Sequence, residues 1–432
     1  MSATLSHADT APNPQVPASP PAGKRRPHII AFDMIRLIIM VFVVGVHTLA
    51  FGGGALTVTL GAITTVFHTS RELFFLLTAL VLVYNYGHRE NVNWLKFWRR
   101  RYWLVLPAYL TWSAVFFCFD APWHGPASAV LAHFGHDLLN AGARYHLYFL
   151  LVTMQVYALF PVIRWVLRKT AGYHGWLFAA ACAYQLALSA AIQHHLWRGG
   201  VLGGWLNGAA SGIWAESYVL YILGGAIAGW HFERICEVTR RYASAVTVTL
   251  AAAFGVAAGV GVYLVQVYVG GSTPVAASAV FQPVVVVEAL CFGWALLAGG
   301  LLWADRGAPA KKFFAAGSAS SFGIYLGHPL VLQWVLSLAS STGFLAVVRS
   351  SGSVLEAVAL LGLFLPVIYA GAWVIASAAR RTPLSLALTG REHRPSRRQG
   401  ERHDGTRAGR RLLPARLPPR LPARLPTRHG GS

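Results

Sequence analysis

The feature that most limits what this chain can become is a succession of apolar runs. Each is near the roughly 20 residues a helix needs to cross a hydrocarbon layer. They fall at about 30–51, 63–86, 102–119, 146–167, 175–193, 212–230, 243–265, 281–303, 320–339 and 354–379. Lipid offers no partner for a free backbone amide, so a run of this kind crosses as a helix. The expected fold is therefore all-α, a polytopic membrane protein of about ten transmembrane helices. Composition agrees, with 55% hydrophobic and 12% charged residues, where soluble domains carry about twice that charge.

The net charge of +21 raises the question of a nucleic-acid partner. The distribution argues against one, because the cations lie in short clusters between apolar runs and in one C-terminal tail. Positive clusters mark cytoplasmic loops. Lys24 to Arg26 precede the first run. Then, at alternate loops, come Arg89, Lys96 and Arg99 to Arg101; Arg164, Arg168 and Lys169; Arg234, Arg240 and Arg241; Arg306, Lys311 and Lys312; and Arg380 with Arg381. The opposite loops hold single cations such as Arg144, Arg198 and Arg349. Both termini are thus expected in the cytoplasm of a multi-pass protein of the cell membrane.

Three regions follow. Residues 1–27 form a Pro/Ala/Ser-rich cytoplasmic lead, 28–390 the membrane domain, and 391–432 an Arg/Pro-rich tail (ARLPPRLPARLPTR). Neither end has the composition to bury a core, and the tail's charge suits anionic lipid headgroups. Cys118, Cys182, Cys236 and Cys291 are scattered, without the spacing of a zinc site or a disulfide framework.

Ionisable groups inside an apolar helix are costly and usually mark function. The first run carries Asp33, Arg36 and His47. Arg36 and His47 are eleven residues apart, which returns them to nearly the same helix face about 16 Å apart along the axis. Asp33 sits one turn before Arg36 and can pair with it. The second run opens with His68, Arg71 and Glu72, and Pro107 is expected to kink the third. Arg99 to Arg101 read equally as a topological signal or as a site for an anionic cofactor. Glu216 and Glu288 read as hydrogen-bonded packing groups or as substrate-facing ones. Tyr145 and His146 fit an aromatic belt. His328, before Pro329 in mid-bundle, is structural or a second catalytic group. The glycines of YILGGAIAG (221–229) allow close helix packing. An outer loop holds His124, His133, His136 and Asp137, but no second cluster completes a metal site, so no metal is expected.

Taken in order, several of these segments resemble the acyltransferase-3 family of integral-membrane acyltransferases, which includes O-acetyltransferases of bacterial surface polysaccharides. Asp33, Arg36 and His47 match its D-x-x-R spacing with His eleven residues on. Phe74 to Leu77 resemble its FF motif, with Thr78-Ala79 where Ser-Gly is usual. Arg99–Arg101 followed by Pro107 and Tyr109 is similar to its basic cluster, with Leu104 where some members carry Arg. His146-Leu147-Tyr148-Phe149-Leu150 with Tyr157 and Pro161 is similar to HLWFL…Y…P, Tyr148 replacing Trp, and 322–329 (FGIYLGHP) resembles FGIYLIHP.

The resemblance implies transfer of an acyl group, by default acetyl, from cytoplasmic acyl-CoA to a hydroxyl. The acceptor would be a carbohydrate or another glycosylated acceptor at the outer face. Acyl-CoA would be a substrate, with no permanently bound cofactor. His47, with Arg36 and Asp33, would carry the chemistry. Arg36, Arg99, Arg100 and Arg101 would hold CoA, and Arg71, Glu72, His146, His328 and Glu216 would serve the acceptor. The competing reading is a transporter or exporter of polysaccharide precursors. No repeat relates the two halves, as many transporters show, and the buried ionisable groups concentrate in the early runs.

Overall fold

The computed structural model describes residues 26–120, 126–195 and 199–393. Most of the lead, the tail beyond 393, His124 and Arg198 lie outside the described residues. The first half contains α1 (Ala31–Gly52), α2 (Val58–His68), α3 (Ser70–Tyr86), α4 (Trp94–Asp120), α5 (Ala127–Asn140), α6 (Tyr148–Lys169), α7 (His174–Gln193) and α8 (Gly200–Ala210). A 3₁₀ turn, Ala215–Tyr218, leads into α9 (Val219–Trp230), α10 (Phe232–Tyr242), α11 (Ala245–Tyr268), α12 (Pro274–Ala277) and α13 (Val284–Asp305). The last part holds α14 (Lys311–Ser341), α15 (Phe344–Ser350), α16 (Ser353–Ala359), α17 (Leu365–Ala379) and α18 (Ser385–Thr389). The described residues contain no strand.

Nine stretches among the described residues are long and apolar enough to cross a membrane, α2–α3 and α16–α17 each acting as one. The protein is a polytopic all-helical membrane protein. The tenth expected run, 212–230, is the exception: its helix is only 12 residues, extended by the 3₁₀ turn. Contacts between helices show that it still counts as a crossing. Gly225 and Gly229 of α9 meet Leu76 and Leu80 of α3 in register, so these two helices run in the same direction. Arg36 faces Ser318 and His47 faces His328, so α1 and α14 are also parallel. Leu360 reaches Gly52 while Tyr369 reaches Leu37, so the last crossing is antiparallel to the first. This pattern requires α14 to be the ninth crossing and α9 the sixth.

Sequence explains the packing. A Cβ at Gly225 or Gly229 would strike the carbonyls of Leu76 and Leu80, so only glycine allows α9 to lie this close to α3. On α11, Gly255, Gly259 and Tyr263 face the bundle, while Val246, Leu250 and Phe254 stand 66, 62 and 62% exposed on the lipid side. Pro107, Pro161 and Pro329 lie inside α4, α6 and α14. Before Pro366, which has no amide proton to give, Leu360–Phe364 widens into a π turn. α10 buries Phe232, Cys236 and Thr239 and exposes its charges, as an interfacial helix does. Burial pushes the Cys236 thiol up to about 11, which leaves it inert at neutral pH.

The basic loops gather at one end of the bundle, and one of them is structural. Arg164, buried, donates to the carbonyls of Gly87, Arg89 and Glu90 and so closes the α3–α4 loop. Arg26, assigned to the lead by its sequence, is built into the fold. It pairs with Glu233 and stacks over Tyr84.

Candidate active site

α1 runs through the middle of the bundle and carries a charged group near one end and an imidazole near the other. Helix geometry separates them by about 16 Å. At the far end, His47 is surrounded by aromatic rings from three segments. Its ring centroid is 4.5 Å from Tyr145 and 5.3 Å from His328, with the two imidazole planes 22° apart. His146 stands 5.4 Å from His328, edge to face at 75°. The first run, the segment ahead of α6 and the FGIYLGHP segment therefore meet at three histidines.

Hydrogen bonding fixes two of these rings. His328 Nδ1 lies 2.6 Å from the Tyr325 carbonyl. A carbonyl only accepts, so this nitrogen carries the proton and Nε2 is left as a bare acceptor. That Nε2 is buried with no protein partner, as are both ring nitrogens of His146 and the Tyr145 hydroxyl. Tyr325 returns its hydroxyl to the His146 carbonyl, tying α14 to the start of α6. Buried polar groups are normally satisfied. Four unspent polar atoms beside one half-buried imidazole leave this cluster with hydrogen-bonding capacity that the protein itself does not use.

The loop after His47 is held rigidly. Arg349 donates to the Gly52 and Phe51 carbonyls at 3.0 and 3.3 Å, and Glu356 accepts from the Gly54 amide at 2.9 Å. Arg349 and Glu356 gave no functional signal in the sequence. Nor did Tyr145, beyond a belt residue.

Arg71 and Glu72 form a buried ion pair at 2.6 Å at the start of α3. Arg71 also donates to the Val280 carbonyl at 3.0 Å and lies over the rings of Phe281 and Tyr218 at 4.5 and 5.4 Å. Its charge is thus largely engaged within the protein, while Glu72 Oε2 has no partner. Glu288 is fully buried against Gly259 with neither oxygen partnered. Glu216 sits in the 3₁₀ turn, where its carbonyl accepts from Tyr184 at 3.3 Å. Among the described residues no ring or polar contact joins it to the imidazoles.

At the near end the expected pairs rearrange. Asp33 accepts from His28 at 2.7 Å and is not within ion-pair distance of Arg36. One turn of helix brings the two close, but Asp33 is buried against the segment preceding α1, where His28 reaches it first. Arg36 gives one long hydrogen bond, 3.5 Å to Ser318, and keeps most of its donors unspent. It lines a cleft of about 180 Å³ with Arg26, His28, Phe32, Tyr84 and Asn85. The arginine cluster divides. Arg99 and Arg100 point outward and are exposed, whereas Arg101 turns in among Tyr86, Phe97 and Tyr157 at 5.6–5.8 Å, with Nε buried and unpartnered. Consecutive helical residues differ by about 100°, so three in a row cannot share one face.

His133 and His136 flank Asp137 at 3.7 and 3.9 Å, both half-exposed or more. Among the described residues no set of three such side chains is spaced to hold a metal ion.

No curated protein and no solved structure matches the chain. Its residues 29–375, by contrast, match the profile of the acyltransferase domain, the acyltransferase-3 family. That stretch covers α1 with Arg36 and His47, the whole imidazole cluster and all but the end of the last crossing, and the chain belongs to this family of membrane acyltransferases.

Proposed function

We propose that the protein moves an acyl group, by default acetyl, from acyl-CoA to a hydroxyl of a carbohydrate or similar acceptor. The donor enters at the Arg36 end and the acceptor at the His47 end. The observation that carries this reading is the arrangement on α1. An arginine with unspent donors lies one pantetheine-length below an imidazole ringed by unpartnered polar atoms. Clustered cations at the Arg36 end support a cytoplasmic location for it, where acyl-CoA is found. Guanidinium groups bind phosphate through paired, charge-assisted hydrogen bonds. Arg36 and the inward Arg101 are placed for that, and Arg99 and Arg100 attract the polyanion from outside.

At the other end, His47 removes the proton from the acceptor hydroxyl as its oxygen bonds to the thioester carbon. The carbon–sulfur bond then breaks and the departing thiolate takes a proton back from His47. No proton is gained or lost overall. His328 and His146 border the same space, their unpartnered nitrogens available to acceptor hydroxyls. The carbonyl oxygen, negative in the transition state, needs donors nearby, and the Tyr145 hydroxyl is one within the cluster.

The test is release of free CoA thiol from acetyl-CoA by purified protein with acceptor extracts. The wild type releases thiol and His47→Ala, still folded and membrane-inserted, does not. Undiminished turnover in His47→Ala would remove His47 from the chemistry. Absence of release from folded wild type with every acceptor would favour the transport reading.

A further inference from the structure

Beside α1, away from the imidazoles, α1, α3, α7, α9, α10 and α13 line a second, partly open cavity of about 370 Å³. Its walls are mostly apolar, among them Ile35, Ile39, Leu77 and Phe178, and the Tyr221 hydroxyl and the Trp294 indole N–H are the polar side-chain groups of its lining residues. Water needs two to four polar partners to occupy a cavity, so this one does not hold a water cluster. Left empty, a cavity costs stability in proportion to its volume. Hydrocarbon is the filling its chemistry accepts.

Phe32 belongs to this cavity and also to the smaller cleft lined by Arg26, His28 and Arg36. The two spaces therefore neighbour each other at one side chain, a cationic cleft beside an apolar cavity. The carboxylates there are engaged: Asp33 by His28 and Glu233 by Arg26. Phe32, Ile35 and Ile39 belong to the first turns of α1, so the cavity begins at the Arg36 end, and it extends past mid-bundle to Leu73 of α3 and Leu220 of α9. A charged head at the surface with a chain descending into one leaflet is the geometry of a membrane lipid. The donor's acyl group fits it poorly, because its thioester is carried towards His47 and neither His47 nor Tyr145, His146 or His328 lines the cavity.

We infer that this cavity is a lipid site, holding one acyl chain of an anionic phospholipid whose phosphate faces Arg26 across Phe32, Arg36 being left to the donor. Where it borders α13 and α9, Gly293 and Gly224 form part of the wall, and a Cβ at either meets side chains only at 3.3 Å or more. Larger residues there project into the space the chain would fill.

The full-length protein, purified in mild detergent and analysed by native mass spectrometry, should retain one phosphatidylglycerol and prefer it to phosphatidylcholine. Gly293→Leu and Gly224→Leu should each lower retention at least tenfold, with unfolding temperatures near wild type as the folding control. Arg26→Gln should keep a lipid but lose the preference. A measurement needing no variant uses phosphatidylglycerol with a photoreactive group on its chain, which should label Ile35 to Ile39 and Leu290 to Leu297. Labelling confined to outward residues such as Phe254, or equal uptake of the two lipids, would overturn the inference. So would filled variants that keep phosphatidylglycerol but lose turnover of palmitoyl-CoA alone, which would assign the cavity to the donor.

Discussion

The imidazoles of His47 and His328 lie nearly face to face, 5.3 Å between centroids, because α1 and α14 run side by side in the same direction. The same pairing repeats lower down, where Arg36 meets Ser318. Ten residues on one helix thus match eleven on the other, and the two signatures most separated in the chain form one surface.

With Nδ1 spent on the Tyr325 carbonyl, His328 keeps a single unpartnered acceptor nitrogen on a ring stacked beside His47. His328→Ala should lower kcat for thiol release by about 10²-fold, the lower range for a positioned acid–base group. KM for acyl-CoA should stay within a factor of two or so, since the proposed site for the donor's phosphates is at the other end. Steady-state kinetics with acetyl-CoA check both; an unchanged kcat would reduce His328 to a packing residue.

The division of the arginine cluster separates two expectations. Arg101→Ala should raise KM for acyl-CoA about tenfold or more, which corresponds to about 1.4 kcal/mol of lost binding. Arg99→Ala and Arg100→Ala, both exposed, should change it little at physiological ionic strength, where exposed charges are screened. Equal effects at all three positions would show the inward turn of Arg101 to be irrelevant to the donor.

Much of this was legible in advance. Apolar length located every long crossing, and the glycines of α9 announced its close packing. Spacing along α1 put Arg36 and His47 on one stripe. What the sequence did not carry was choice among partners. Asp33 has Arg36 one turn away, yet pairs with His28, because a neighbour in the chain says nothing of what folds back from outside the helix. Tyr145 looked like a belt residue until α1 and α14 closed around it. The short sixth crossing was misjudged in length because Ala215–Tyr218 adopts a 3₁₀ turn, which apolarity alone does not distinguish from helix.

Glu288 is fully buried with both oxygens unpartnered. An unsatisfied buried polar group costs about 1–3 kcal/mol by mutational data. Glu288→Met, similar in length and apolar, should therefore raise the unfolding temperature in detergent. A marked fall instead would show that water or a neighbouring group satisfies the carboxyl in the membrane.

Gly225→Ala should do the reverse. The added methyl meets the Leu76 carbonyl, which belongs to backbone and cannot swing aside. Overpacking of this kind costs at least about 1–3 kcal/mol, visible as a lowered unfolding temperature. Gly293→Ala, whose methyl would lie 3.7 Å from Leu73, serves as the neutral comparison.

The parallel pairing of the first and ninth crossings also sets a clock for biosynthesis. Arg36 and Ser318 are 282 residues apart, and ribosomes add about 5–20 residues per second. The first helix therefore waits for roughly 15–60 s with its arginine and histidine inside the membrane before α14 emerges to cover them. Chains truncated before α14 should be inert and prone to degradation, and any factor that shelters nascent membrane helices will meet this protein at α1.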